Sequence, residues 1–483
     1  MTDGVRLREV EGRRSSQETG KAIFAAAALP ADPALAEEIA AEKSWRKRYL
    51  GPLRRLVEAG TRSSRAAVDV ARSGLAELHS RVEIDRGGGM PLPEALRTPP
   101  AGDLRTEVVS GSASGRPELG IPYRGELLHG DAIRRRLDRW VEDAIIESSC
   151  REAVEKVLAN PDWLDLSDRR FVLLGAGSEM GALEALSAWG ADIVAVDLPE
   201  PRLWERTIRI AREGRGTLSV PVRGDRGADL VNAAGADLLQ DTPEIAGWLR
   251  GFDAPFTIVD DTYADGARFF LVASATDALI NDLAAQPGVS LAYLATPTDV
   301  FAVPEDVAIA TRARRRPGRG MVMRTLSGRS LYKPSYAELI EGEDGRRWGI
   351  VDCLVTQQGA NYALAKTLQR WRAVAARESG TLVSSNVAPA TRTRSVTKNK
   401  ALAAAYRGAS AYGIEIFEPE TSRWLMAALL VHDLRNDAGS VPPAGHPFDL
   451  FAGGAAHGGI WRLGWEPRSV LPLAVVRGLA RRR

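Results

Sequence analysis

The stretch that decides the reading of this chain is Phe171-Val172-Leu173-Leu174-Gly175-Ala176-Gly177-Ser178-Glu179-Met180-Gly181. Four apolar residues suited to a buried strand run into a glycine-rich turn. Ala182 to Trp189 then has the composition of a helix, so strand, turn and helix arrive in that order. Glycines serve such a turn because it needs unusual backbone angles and because a phosphate can approach a chain that lacks side chains, resting on the outward amides of a helix start. The stretch predicts a nucleotide site at Gly175, Gly177, Ser178, Glu179, Met180 and Gly181.

A second strand, Ile193 to Val196, ends in Asp197, 22 residues after Gly175. A carboxylate there can accept the hydroxyls of a ribose and repels a 2′-phosphate, which favours NAD over NADP. Asp197 and the adjoining Leu198 are accordingly expected to bind cofactor. The competing role for Asp197 is to cap the helix beyond Pro199. Further on, Gly235 precedes Asp237 and Leu238, placed where the chain of a dinucleotide-binding domain passes the adenine, although a plain turn accounts for Asp237 equally well. Asp241-Thr242-Pro243-Glu244 reads as a helix start with a first-turn proline.

Moving outward, β-rich runs recur at Leu218 to Val222, Phe256 to Val259, Ser290 to Leu294 and Thr381 to Ser384, separated by helical stretches. That alternation predicts an α/β, Rossmann-type, doubly wound parallel sheet over residues 166–420. Residues 1–165 carry helical blocks at Pro33 to Val57, Ser63 to Val82 and Gly130 to Leu158, divided by a Pro/Gly/Ser-rich interval from Arg86 to Pro122 that reads as loop. They predict a mostly helical N-terminal region. Residues 421–483 form a C-terminal extension with helical runs at Trp424 to Leu434 and Ser469 to Leu479.

Composition narrows the function classes. At 483 residues with 45% apolar and 26% charged side chains, the chain can bury a large core. Its 64 basic and 62 acidic residues leave a net charge of +2, which gives no electrostatic support for a nucleic-acid partner. The arginine-rich stretch Arg312, Arg314, Arg315, Arg316 and Arg319 is broken by Pro317 and Gly318 and reads as a solvated loop. Two cysteines, Cys150 and Cys353, and five scattered histidines match no metal-ligand spacing. The run from Ala22 to Leu29 stops at Pro30, too short for a membrane span, and a cytoplasmic protein is expected. A homo-oligomer is compatible with all of this.

Downstream, Tyr362 and Lys366 stand four apart in a helical stretch that runs to Ala376, so both lie on one helix face. An ammonium beside a phenol stabilises the tyrosinate and makes the group a proton donor and acceptor near neutral pH. The spacing alone also suits an ordinary solvated helix face. The strand at Thr381 to Ser385 and then Asn386-Val387-Ala388-Pro389-Ala390-Thr391-Arg392-Thr393 follow it. In this order the chain resembles the short-chain dehydrogenase/reductase family, over about Phe171 to Thr393, roughly half its length. The resemblance implies that Tyr362 is the catalytic acid/base, that Lys366 supports it and holds the nicotinamide ribose, and that Pro389 and Thr393 lie beside the nicotinamide. It implies further that Thr296, after the fifth strand, orients a substrate oxygen, and that Asp265 takes the place of an assisting asparagine.

The chain departs from that family in several respects. Glu179 occupies the middle of the glycine turn, Val259-Asp260-Asp261-Thr262 replaces an Asn-Asn-Ala-Gly strand end, and threonine stands where serine is usual. Residues 299–358 form an insertion expected to cover the substrate site. The expected activity is a nicotinamide-dependent conversion between a small carbonyl compound and its alcohol. An S-adenosylmethionine methyltransferase, which uses a similar glycine turn and acidic residue, and a catalytically silent binding protein are the alternatives.

Overall fold

In the computed structural model, described over residues 4–86, 88–98, 102–224, 229–315, 324–327, 330–436 and 445–480, the β-rich runs of the sequence are strands of one seven-stranded sheet. They are numbered here β1 (Arg105–Ser110), β2 (Arg170–Leu174), β3 (Asp192–Val196), β4 (Thr217–Val222), β5 (Thr257–Asp260), β6 (Ser290–Ala295) and β7 (Val383–Val387). The spatial order is β7-β6-β5-β2-β3-β4-β1. All neighbours among β2 to β7 pair parallel, and β1 alone joins antiparallel, at the edge of β4. Counted along the chain, the six parallel strands stand in the order 3-2-1-4-5-6, which makes this a Rossmann-type α/β sheet with its topological switch between β2 and β5.

Alternation along the strands explains how the sheet is covered. Phe171, Leu173, Ile193, Ala195 and Leu218 enter one apolar cluster, while Val172, Leu174, Val194, Val196 and Ile258 enter another, the period of two that sends successive side chains to opposite faces. Helices α1 (Leu183–Ala188), α2 (Pro201–Glu213), α3 (Ala267–Leu283), α4 (Ala360–Glu378) and α5 (Pro419–Arg435) clothe those faces. Trp189, Trp204, Phe269 and Phe270 are fully enclosed.

The N-terminal region holds strands as well as the expected helices. Besides helices, residues 4–129 carry strands at Gly4–Leu7, Val82–Asp85, Gly89–Pro91, Gly120–Tyr123 and Glu126–His129, and β1 is an integral strand of the main sheet. The interval read as loop therefore contains structure. β1 was illegible because its sequence, Arg-Thr-Glu-Val-Val-Ser, lies at an exposed edge and gains its pairing only from β4. The region divides between the two faces: Ile23, Trp45, Leu56 and Leu78 pack with Val172 and Leu291, whereas Ile133, Trp140 and Val154 pack with Phe171 and Ile193.

The 299–358 insertion builds its own antiparallel sheet from Val300–Pro304, Leu339–Glu341 and Arg347–Asp352, with the helix Glu305–Arg314. It packs on the helix Leu50–Gly60, and Phe301 meets Phe451 and Trp461 at 5.9 and 5.2 Å. Of the arginine-rich stretch, Arg312 and Arg314 bond to the carbonyls of Tyr336 and Glu142, and Arg315 stands over the Trp465 ring. Arg316 and Arg319 lie outside the described residues.

The C-terminal extension is fastened to the N-terminal region by a buried ionic clamp. Glu147 Oε1 accepts from His457 Nε2 at 2.8 Å and from Arg462 Nε at 2.8 Å, and its second oxygen pairs with Arg462 Nη2. His457 Nδ1 accepts the Gly459 N–H, which leaves the imidazole proton on Nε2 for Glu147. Burial pushes the Glu147 carboxyl up, but the bonds from His457 and Arg462 outweigh it and hold the group at about 2. Removing one member of such a buried set strands the others without a partner. Glu147→Gln is expected to lower the free energy of unfolding by about 3 kcal/mol, read as a lower urea midpoint. The wild-type advantage should be present above the ordinary carboxyl range and fall away as the pH drops toward 2. Equal midpoints at pH 7 would show that the clamp adds nothing.

Candidate functional site

The glycine turn leaves β2 at the switch point, where Gly175 takes φ +81° and donates to Val196 O at 2.9 Å. A Cβ on Gly175 would stand 3.1 Å from the backbone of Asp261 and Thr262, so this position admits glycine only. The close approach expected of a phosphate is thus made by the end of β5 instead. At Gly177 an added Cβ would fall 2.8 Å from Leu203 of α2, and at Gly181 it would fall 3.0 Å from Asp261 Oδ2.

Most amides of the turn are engaged internally. Gly177 N–H bonds Asp197 Oδ2 at 2.7 Å, Ser178 N–H bonds Gly175 O at 2.9 Å, Gly181 N–H bonds Ser178 O at 3.2 Å, and Ala182 N–H bonds Asp261 Oδ2 at 3.2 Å. Those of Glu179 and Met180 have no acceptor among the described residues. Asp197 also accepts Leu198 N–H at 2.8 Å. It does not cap α2, whose first residue follows Glu200. Burial pushes its carboxyl up against the pull of those two amides. The adenine-side residues lie alongside: Ala236 N–H bonds Asp197 O at 2.9 Å, and Leu238 is buried. Asp237 is taken up by Leu239 N–H and Arg268, a turn role.

Across the carboxyl edge of the sheet, Tyr362 of α4 places its hydroxyl in hydrogen bond with the side chain of Thr296, just past β6. Phe269 packs on the Tyr362 ring with centroids 5.6 Å apart. A polar chain continues from Thr296 Oγ1 to Thr298 Oγ1 at 2.9 Å and on to Gln358 Nε2 at 2.8 Å. Past β7, Pro389 is buried, Thr393 Oγ1 pairs with Ser395 Oγ, and Ser395 reaches the Tyr263 hydroxyl. The backbone N–H of Arg394 bonds Glu179 Oε2 at 2.9 Å, which ties this segment to the glycine turn.

Two sequence readings change here. Lys366 does not face the phenol: its Nζ points to Leu294 O at 3.4 Å and Gln369 Oε1 at 2.9 Å, within the field of Asp260, Asp261 and Asp299. The Tyr362 pKa is accordingly raised, chiefly by burial, so this phenol holds its proton where a lysine-paired tyrosine would release it. Asp265 sits on an exposed turn, accepts from the Tyr263 hydroxyl at 2.9 Å and is not joined to Tyr362.

What the sequence reading missed is the pair of carboxylates ending β5. Asp260 accepts from Thr262 and from Gln369 Nε2 at 2.9 Å, whereas Asp261 Oδ1 has no partner among the described residues. Burial lifts the Asp261 carboxyl to about 7, helped by Asp260 and opposed by the Ala182 amide and Lys366. A small cavity of about 10 Å³ beside them is lined by Tyr293, Thr296, Asp299, Lys366, Gln369 and Ser385, space for about one water molecule. Two adjacent aspartates closing a wholly buried strand were the available signal, since buried carboxylates are rare without a task. No grouping of three metal-ligating side chains is present among the described residues, and no helix among them is long and apolar enough to cross a membrane.

No family model and no curated protein matches the chain. Among solved structures it aligns with the crystal structure of an aureusimine biosynthetic cluster reductase domain at 15% identity and a TM-score of 0.27, over 53% of this chain and 64% of that one.

A carboxyl whose folded pKa is raised favours the folded state while it is protonated, and that contribution is lost as the pH rises from its unfolded value of 3.8 toward about 7. Its full size is roughly 4 kcal/mol. Asp261→Asn keeps an acceptor for Ala182 and removes the charge. Its melting temperature is therefore expected to exceed the wild type's at pH 8 and to match it near pH 4. An identical pH dependence in both proteins would show that Asp261 does not titrate in this range.

Proposed function

We propose that this chain is an oxidoreductase that uses a nicotinamide nucleotide to interconvert a small carbonyl compound and its alcohol. The observation that carries the reading is the Tyr362 hydroxyl bonded to Thr296 at the carboxyl edge of a 3-2-1-4-5-6 sheet, where ligands of such sheets bind. Asp197, whose two oxygens each keep a free lone pair, is suited to a ribose, and the free amides of Glu179 and Met180 are suited to phosphate oxygens. These groups fit the nucleotide, with NAD favoured over NADP by the charge of Asp197. Nicotinamide, when bound, supplies or accepts the hydride.

The chain's own part is proton transfer. Tyr362 remains protonated at neutral pH because its phenolate would be buried, so it serves as acid toward a substrate oxygen in the reducing direction. Thr296 holds that hydroxyl in place, and the Thr298 to Gln358 relay fixes Thr296 in turn. Lys366 acts as counter-charge to Asp260, Asp261 and Asp299 and is assigned no proton.

Two measurements test the proposal. In a thermal-shift panel NADH at a hundred times its Kd should stabilise the protein by about 2.7 kcal/mol, NADPH at the same concentration should stabilise it less, and S-adenosylmethionine should leave the transition unmoved. Stabilisation by S-adenosylmethionine alone would overturn the oxidoreductase reading in favour of a methyltransferase. Tyr362→Phe should retain nucleotide binding while turnover of a carbonyl substrate falls by about 10² to 10⁴. Unchanged turnover would remove Tyr362 from the chemistry.

A further inference from the structure

Two arginines from separate elements contact the glycine turn, and a third stands nearby on α2. Arg423 of α5 donates Nη1 to Glu179 O at 3.3 Å and sets Nη2 2.9 Å from Glu184 Oε2, while its buried Nε has no acceptor among the described residues. Arg394, from the segment after β7, bonds Glu179 through its backbone and lies 4.0 Å from Glu179 Oε1 through its guanidinium. Arg206 stands three residues beyond Leu203 on α2, on the helix face that packs against Gly177.

Arg206 differs from the other two in having no carboxylate or carbonyl partner among the described residues. It is half-buried, and burial, Arg423, Arg394 and Arg209 work against its charge, with Glu184 partly offsetting them. Glu179 and Glu184 are the carboxylates touching the set, so three guanidinium groups face two anions and one positive charge is left over. A half-buried cation among like charges is unfavourable alone and becomes favourable when an anion with several acceptor oxygens enters. The neighbouring turn offers an anion only the amides of Glu179 and Met180, because Asp197 and Asp261 hold those of Gly177 and Ala182 and backbone carbonyls hold the rest.

We propose that Arg206, with Arg423 and Arg394, forms the phosphate-binding subsite of this protein, adding to the two free amides, those of Glu179 and Met180, of a glycine turn whose other amides are bonded within the chain. The ligand class is a phosphate group of a nucleotide, either the pyrophosphate of a dinucleotide or a ribose phosphate. The assignment rests on the nucleotide reading above for the identity of the ligand, but the anion site can be measured without it.

The test compares the full-length protein with Arg206→Gln and Arg206→Lys by calorimetric titration with NADH, NADPH and adenosine, after confirming by circular dichroism that each is folded. Loss of one charge-assisted contact should weaken phosphate-bearing ligands about 10- to 100-fold, leave adenosine unchanged, and be partly restored by lysine. Equal weakening of NADH and NADPH identifies the pyrophosphate as the bound group, and weakening confined to NADPH identifies the ribose phosphate. Unchanged affinity for both dinucleotides overturns the proposal. If the wild type binds neither dinucleotide, the oxidoreductase reading falls and inorganic pyrophosphate decides the site. Stabilisation of the wild type that is lost in Arg206→Gln upholds the subsite, and no stabilisation overturns it.

Discussion

A parallel sheet can exist only if both faces are covered, because its strands are apolar throughout and the connections between them run over the faces. In this chain the crossover helices do not supply enough cover. Residues 4–98 complete the layer over Val172, Leu174 and Val194, and residues 109–166 complete the layer over Phe171, Leu173 and Ile193. The N-terminal third is therefore built into the same core as the Rossmann-type sheet, and β1 continues that sheet by pairing with β4. The Glu147, His457 and Arg462 clamp draws the C-terminal extension into the same body.

The second organising feature is electrostatic. Asp260, Asp261 and Asp299 are nearly inaccessible to solvent, and Lys366 and Arg370 lie among them. A buried carboxylate requires hydrogen bonds or a cation. That demand is met for Asp260 by Thr262 and Gln369, for Asp299 by Arg370, and for one oxygen of Asp261 by the Ala182 amide at the start of α1. Both glycine turn and tyrosine helix are thereby positioned by charges that face inward, and the phenol is left in a setting that keeps it protonated.

This arrangement gives the glycines a meaning different from the one their spacing suggests. Gly175 is required by the passage of β5, and Gly177 by Leu203. A glycine pattern reports that something comes close to the backbone, and in this chain the chain itself does so at both positions. The amides of Glu179 and Met180 are the ones the turn leaves free, and the proposed phosphate subsite adds the arginines beyond it.

By itself the sequence determined the six parallel strands and their helices, because apolar runs bounded by glycine and helical stretches report burial through local periodicity. That Thr296 and Tyr362 stand at one site was implied only by the resemblance to the short-chain dehydrogenase/reductase family. Only the tertiary structure decided the rest. β1 takes its form from β4, Lys366 bonds the distant Leu294 carbonyl, and Arg394 and Arg423 reach Glu179 from more than 200 residues away along the chain. Such long-range pairings leave no local period, so burial and charge had to be placed in space before they could be read.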